Sequence, residues 1–398
     1  MVSVGQREYN NCGMALQCAL LTAIATPAPL YPLGWSWDTL PVHWFSGNVT
    51  SQLSDAAAEQ IASRHSLAII NGQGHAYFAS ALGAHAEEKM AEAGQLLKAA
   101  SARLGRPEIS VLSYFNSMLD WTAYDFHAWL EEKPSRYLHD VHGNCIVGRR
   151  DNLNNTLRIP DFSQRAVSDQ WVSNIVNATS ALDGVFVDQG KWCSPLVCKA
   201  RPGVYAPGQL EAWATGHWAA LHALRAAMPR KIVIINNWNT TAFPVGFDHE
   251  YENFNATSAQ FRALQYDASL KRLATCHTQA ATYNSTLPLF LLGAGDYAYF
   301  AATFLRGASG APGDPEWMEP SWDGWRDDYS RALGAPTGPA VIATNNIASR
   351  TFASGTVVKM NISDVDLLPY YTREGGCVYW ADGNKTGKAS VCHALEAL

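Results

Sequence analysis

The apolar run Asp183-Gly-Val-Phe-Val ends on Asp188, which Gln189 and Gly190 follow. A carboxylate closing a buried strand stands where an (α/β) barrel keeps its catalytic acids. Only the C-terminal strand ends reach the face built from the βα loops. A second acidic group follows in Phe247-Asp-His-Glu-Tyr-Glu-Asn-Phe254. There Asp248, Glu250 and Glu252 alternate, so an extended segment turns all three to one side. Unpaired charges are costly to bury, so this side faces either a polar site or an exposed end. Carboxylates on two strand ends are the minimum equipment for cleaving a glycosidic bond. One protonates the leaving oxygen; the other attacks or stabilises the anomeric carbon, or activates a water. By analogy with barrels that place paired acids after strands four and six, Asp188 as nucleophile or base and Glu252 as acid is the first assignment, with Glu250 as the alternative second acid and the roles reversible.

Lesser candidates surround these. Asp161, in Arg158-Ile-Pro-Asp-Phe-Ser163, is a third acid or sugar ligand, or equally the N-cap of the helix that follows. Gln189 adjoins Asp188, and Asn236 and Asn237 close another apolar run, where an amide bonds hydroxyls or anchors a loop. His43 and Trp44 are candidates for the floor of a sugar subsite, although a packed aromatic beside a satisfied imidazole is the commoner arrangement. Trp192, beside Cys193 in the loop after Asp188, offers a flat face for a sugar ring. His277 joins the set if residues 273–279 form a strand. No Gly-x-Ser-x-Gly elbow, His-Glu-x-x-His motif or P-loop is present. His139 and His142 around Asp140 are a weak metal pattern, and Cys193-x4-Cys198 lacks a second pair to complete a four-ligand zinc site. Neither a metal nor a cofactor is expected.

The elements that must position these residues alternate in type. Leu40–Phe45, Ser66–Asn71, Ile109–Tyr114, Gly184–Asp188, Lys231–Asn237 and Phe247–Phe254 read as strands. Helical patterns lie between them at about Ala84–Leu104, Ala123–Glu132, Gln164–Ala181, Gln209–Met228 and Ser258–Leu273. His139–Asn155 reads as a long loop. Leu273–Gln279 is the expected seventh strand, followed by a helix over Leu287–Ala294 that opens near Thr286 with Pro288 in its first turn. The reverse assignment, with Leu289–Leu292 as strand, fits the periodicity nearly as well. A short eighth strand falls near Tyr297–Phe300. The alternation predicts α/β with a parallel sheet. No Gly-rich dinucleotide fingerprint follows any of these strands, which argues against a doubly wound sheet. From about Arg350 alternating β runs form a C-terminal β region.

The 398-residue chain is 47% hydrophobic and 16% charged, enough apolar surface for a large core and too much for disorder. Its net charge of −6 provides no basic footprint for nucleic acid. The run Gly13–Ala25 ends on Ala23-Ile-Ala25, of signal-peptidase form, and is too short for a stable membrane span. Cys12 and Cys18 leave with it. The remaining Cys145, Cys193, Cys198, Cys276, Cys377 and Cys392 are even in number, with Cys193–Cys198 and Cys377–Cys392 as the expected pairs. Asn-x-Ser/Thr sequences stand at Asn48, Asn154, Asn177, Asn239, Asn255, Asn284, Asn361 and Asn384, a density that points to a glycosylated, secreted protein.

Several stretches read together carry a resemblance. They are Asp183–Gly190, Ile234–Asn237, His249–Phe254, Leu287–Phe300, Leu333–Pro339 and Arg350–Val358. Over roughly residues 35–382 they resemble hypothetical glycosyl hydrolase family 15 and, more distantly, the endo-α-1,4-polygalactosaminidase-like barrels. The resemblance implies a TIM-type barrel and sugar chemistry, with Asp188 as the strand-four and Glu252 as the strand-six carboxylate. The expectation is therefore a signal peptide (1–25), a (β/α)8 TIM-type barrel (26–345) and a small C-terminal β region (346–398). The protein would be a monomer that hydrolyses an oligo- or polysaccharide, away from nucleic acid and, once the signal is cleaved, from membranes. The alternatives are a non-catalytic carbohydrate-binding protein on the same scaffold, and an ester or amide hydrolase, for which no nucleophile–base pair is visible.

Overall fold

The computed structural model describes residues 31–46, 52–72, 85–150, 154–190, 204–236, 246–252, 254, 258–279, 282–303, 325–362 and 375–397, without the side chains of residues 252, 258, 259, 279 and 303. Along the chain come β1 (Trp44–Phe45), α1 (Asp55–Arg64), β2 (Leu67–Ile70), α2 (Ala86–Arg103), β3 (Ser110–Asn116) and α3 (Asp125–Glu131). A hairpin of β4 (Val147–Arg150) and β5 (Thr156–Arg158) precedes α4 (Arg165–Ala178) and β6 (Gly184–Asp188). Next are α5 (Gln209–Ala227), β7 (Ile232–Asn236), β8 (Asp248–Glu252), α6 (Ser258–Ser269), β9 (Ala274–Gln279), α7 (Tyr283–Gly293) and β10 (Ala298–Thr303). An antiparallel sheet, β11 (Val341–Ile342), β12 (Ile347–Thr351), β13 (Val357–Asn361), β14 (Gly376–Tyr379) and β15 (Lys385–Thr386), ends with α8 (Ala389–Glu396).

Eight strands run parallel in the order β1-β2-β3-β6-β7-β8-β9-β10. A parallel bridge between Val42 and Phe300 closes them into a barrel. The His43 N–H donates to the Phe300 carbonyl at 3.3 Å, and the Phe300 N–H to that of Pro41 at 2.9 Å. The fold is thus the (β/α)8 barrel with a small C-terminal sheet. Side chains alternate across each strand. Leu67, Ile69, Leu112, Tyr114, Phe186, Ile232, Ile234 and Tyr299 form one buried cluster with Phe45, the barrel interior. Their neighbours Trp44, Ala68, Ile70, Val111, Phe115, Val185, Val187, Val233 and Ile235 pack outward with residues of α1, α2, α4 and α5.

The strand β8 carries little apolar surface, and the structure shows what holds it. Its outward His249 and Tyr251 both bond Asp267 of α6, His249 Nδ1 at 2.8 Å from Oδ2, and Arg272 Nη1 stands 3.6 Å from Oδ1. Its inward Asp248 lies at the N-terminal end of the barrel, where Tyr31, Trp35 and Tyr297 pack together. Asp248 Oδ1 accepts the Tyr31 hydroxyl at 3.0 Å and the Leu273 N–H at 3.1 Å.

Two expectations are corrected. Residues 139–155 are not a plain loop, because Val147–Arg150 pairs with Thr156–Arg158 as a bulged hairpin; its short, mostly polar strands carry little hydrophobic alternation. The helix after β9 begins at Tyr283, so Pro288 lies inside it rather than in its first turn. Pro288 is tolerated because the helix is wedged between the barrel and the C-terminal sheet, with Gly376 packed directly on its ring. Burial on nearly every side also explains why periodicity left helix and strand undecided there. The eighth strand is longer than expected, running to Thr303. The expected Cys377–Cys392 disulfide is present, whereas Cys193 and Cys198 lie outside the described residues. Cys145 and Cys276 are free thiols.

Burial pushes the Asp248 carboxyl up to about 6, against the opposing influence of the Tyr31 and Leu273 donors and of Arg225. A carboxyl raised in the folded state favours the fold while neutral, so its contribution is complete below the ordinary value of 3.8 and is lost as pH rises through about 6. Asp248→Asn removes that titration. The variant is expected to gain roughly 3 kcal/mol relative to wild type between about pH 3.5 and about pH 7.5. Urea unfolding at a series of pH values reads this directly, and a stability difference that ignores pH contradicts it.

Candidate active site

At the C-terminal end of the barrel the register lines up polar residues from neighbouring strands. Asn116 of β3 pairs with Asp188 of β6, Val187 pairs with Ile235 so that Asn236 follows beside Asp188, and Asn236 pairs with Glu250 of β8. Each is an inward position; Asn116, Asp188 and Asn236 stand two residues beyond the apolar Tyr114, Phe186 and Ile234 of their strands, and Glu250 two residues beyond Asp248. The Asp188 carboxylate is held on both oxygens. Oδ2 accepts from the Tyr114 hydroxyl and from Asn116 Nδ2 at 3.0 Å; Oδ1 accepts from Asn236 Nδ2 and from the Gln189 N–H, each at 2.7 Å. The Ser117 hydroxyl donates to its backbone carbonyl at 2.9 Å. An ionised carboxylate is an acceptor only, and four donors suit that form. Tyr114 stays protonated, since burial first and the Asp188 charge second push its hydroxyl well above the ordinary range.

The turn that follows makes this geometry possible. Gln189 takes a left-handed φ of +63°, which aims its N–H back at the carboxylate it follows. Gly190 then lies flush on β7, where a Cβ would come 2.2 Å from Ile235 Cγ2. A left-handed, non-glycine residue beside a chemically competent side chain is a pattern of functional sites.

Glu250 is 1% exposed, and its Oε1 lies 3.3 Å from Nδ1 of His277 on β9. Phe45 connects the two acids across the interior. Its ring centroid is 5.9 Å from Tyr114, the donor to Asp188, and 6.2 Å from His277, the partner of Glu250. Phe186 completes this aromatic floor, stacked 5.4 Å from Tyr114. The arrangement presents one firmly held carboxylate and one imidazole-paired carboxyl around an aromatic surface, groups that can move a proton and stabilise a developing positive charge.

Of the residues expected from sequence, Asp188, Gln189, Glu250 and His277 come together here. The Glu252 side chain, Trp192 and Asn237 lie outside the described residues. The structure places three further candidates in packing or turn roles, the alternatives that their sequence context also allowed. Trp44, 1% exposed, points outward into the layer packed against α1, because alternation along β1 turns Phe45 and not Trp44 inward. His43 does point inward but is buried against Tyr299, so it forms part of the packing rather than an open floor. Burial holds its imidazole well below the ordinary value, hence neutral. Asp161 is engaged in the turn before α4, its oxygens accepting from Ser163 N and Oγ and from Gln164 Nε2. Asp248, on the same strand face as Glu250, is at the opposite end of the barrel. Tyr114, Asn116 and Phe45 were missed. Extending the Ile109–Tyr114 strand by one more period would have put Tyr114 and Asn116 on the face of Leu112.

A protein family described as hypothetical glycosyl hydrolase family 15 matches residues 103–356. No curated protein matches the sequence. Among solved structures, the chain is similar to the glycoside hydrolase domain of PelA from Pseudomonas aeruginosa, with 10% identity and a TM-score of 0.41, over 72% of this chain and 97% of that one. It is also similar to the GH36 α-galactosidase AgaA from Geobacillus stearothermophilus, with 12% identity and a TM-score of 0.46, over 83% of this chain and 48% of that one. The GH31 dextranase FjDex31A of Flavobacterium johnsoniae gives 12% identity and a TM-score of 0.42, over 68% of this chain and 37% of that one. The chain thus spans less than half the length of the galactosidase and of the dextranase.

Gly190→Ala is expected to cost about 1–3 kcal/mol, because the new methyl group must displace Ile235 or open the turn. Denaturant unfolding measures this, and an unchanged midpoint would contradict the close packing of this turn on β7.

Proposed function

The chain belongs to hypothetical glycosyl hydrolase family 15, and from that membership we propose that it is a secreted glycoside hydrolase acting on an oligo- or polysaccharide through paired carboxylates. The observation that carries the reading is the Asp188 carboxylate, fixed by four donors from the strand ends and the turn after it. So held, it is the anionic member of the pair, suited to attack or stabilise the anomeric carbon or to activate a water. The proton donor then belongs to β8. Glu250, buried beside His277, has the environment of a group that exchanges a proton with a neighbour. Glu252, two residues further along the chain, is the alternative.

Passage through the secretory pathway is supported by the Cys377–Cys392 disulfide and by the sequons. Asn154, Asn177, Asn284 and Asn384 are exposed and Asn361 is half-exposed. An N-linked glycan needs that access.

Product release from a broad glycan panel tests the activity, with wild type compared with Asp188→Asn, Glu250→Gln and Glu252→Gln. New reducing ends are expected from wild type. They should fall about 10²–10⁴-fold in Asp188→Asn and in one of the two glutamate variants, which identifies the acid. Cleavage that survives Asp188→Asn contradicts this site, and binding without cleavage favours a carbohydrate-binding protein. For localisation, the chain expressed in a eukaryotic cell should enter the medium and lose mass on treatment with an endoglycosidase specific for N-glycans. Retention inside the cell without glycan overturns the secretory reading.

A further inference from the structure

Outside the barrel interior, the segment between β3 and α4 gathers two carboxylates and an imidazole. His127 and Glu131 stand one turn apart on α3 and so share a face of that helix. Asp120 meets them from the loop that leaves β3. One ligand-capable atom from each of the three lies within 4.8 Å of the others. His127 Nδ1 is 2.7 Å from Asp120 Oδ2. The Tyr137 hydroxyl is 2.7 Å from that same oxygen and 2.6 Å from Glu131 Oε1.

Proton counting shows what this cluster lacks. A hydroxyl carries one proton and can donate to only one of its two carboxylate neighbours. The other contact then sets two oxygen lone pairs against each other. Arg158 bonds Glu131 and compensates that carboxylate from one side. Asp120 is 3% exposed, and its Oδ1 has no hydrogen-bond partner among the described residues. A buried carboxylate oxygen without a donor is costly. Asp120 also lines a small cavity together with Asn116, Tyr124 and Asn174, so it borders free space. One further positive species among these groups relieves the opposed lone pairs and offsets the buried Asp120 charge.

We propose that Asp120, His127 and Glu131 form a binding site for a divalent cation of the zinc class, with the Tyr137 hydroxyl beside it. One imidazole with two carboxylates suits zinc, whereas calcium and magnesium select all-oxygen sets. Three protein ligands leave a fourth position for a water or for the Tyr137 oxygen. Binding takes the neutral imidazole and releases the proton it shares with Asp120. The ion ties α3 to the loop that starts at Asn116. That residue donates to Asp188 and accepts the Met118 and Leu119 N–H groups at 2.9 and 2.8 Å. Its role is therefore to stiffen the segment behind the Asp188 cradle, and it holds whatever reaction the barrel performs.

The test uses the full chain, stripped with EDTA and dialysed into metal-free buffer. ZnCl2 is titrated by calorimetry, with MnCl2 and CaCl2 in parallel, and retained metal is counted by mass spectrometry after desalting. Wild type is expected to hold a zinc ion that His127→Gln and Glu131→Gln each weaken by at least about tenfold. Circular dichroism and thermal unfolding of the metal-free variants must match wild type, so that lost binding is not lost fold. Zinc held equally by both variants, or no stoichiometric zinc on wild type, overturns the proposal and leaves a shared proton as what the cluster carries. Calcium binding tighter than zinc overturns the assignment of metal class.

Discussion

Closure of the parallel sheet through Val42 and Phe300 is the constraint on which the other features rest. A closed sheet has no free edge, but it creates an interior that only every second residue of each strand can fill. Leu67, Ile69, Leu112, Phe186, Ile232 and Ile234 fill the middle. Below them, aromatic residues from before β1 and from just before β10 close the N-terminal end around Asp248. The inward positions beyond the apolar layers are then the ones where polar side chains meet without displacing core. Asn116, Asp188 and Asn236 occupy those positions on β3, β6 and β7, and Glu250 of β8 pairs with Asn236 beside them.

The two ends of the barrel treat the same chemical group differently. Asp248 and Glu250 are two residues apart on β8, yet Asp248 is raised by burial in an aromatic plug, and Glu250 shares the chemically equipped end with Asp188. Asp188 is neither buried alone nor exposed. Its donors come from β3, from β7 and from its own turn, three attachments to the rigid part of the molecule. Such donors are in place before any ligand arrives, the condition under which fixed dipoles serve chemistry best. The strained φ at Gln189 and the tight contact at Gly190 are the local cost of aiming the fourth donor.

Much of the architecture was legible because its signals are local. Strands β2, β3, β6 and β7 are short apolar runs, and α2 and α5 are long, proline-free helical patterns. Asp188 was visible because it ends one such run. Reading failed where tertiary contacts override local pattern. Burial from both sides erased the period of α7. The polar strand β8 is anchored by side chains, Asp267 of α6 engaging His249 and Tyr251, a contact that no local pattern announces. The hairpin β4–β5 carries too few apolar residues to announce itself.

By itself the sequence determined the parallel α/β class, the strand that ends on Asp188, the disulfide between Cys377 and Cys392, and the alternation that puts Asp248 and Glu250 on one face. All of these follow from period, composition and short spacing. Only the tertiary structure decided which end of the barrel each acid occupies, that Phe45 rather than Trp44 turns inward, and that Tyr114, Asn116 and Asn236 converge on Asp188. Those outcomes depend on strand register and on where β1 meets β10, and a register is set by the packing of the closed barrel as a whole rather than by any one segment of the chain.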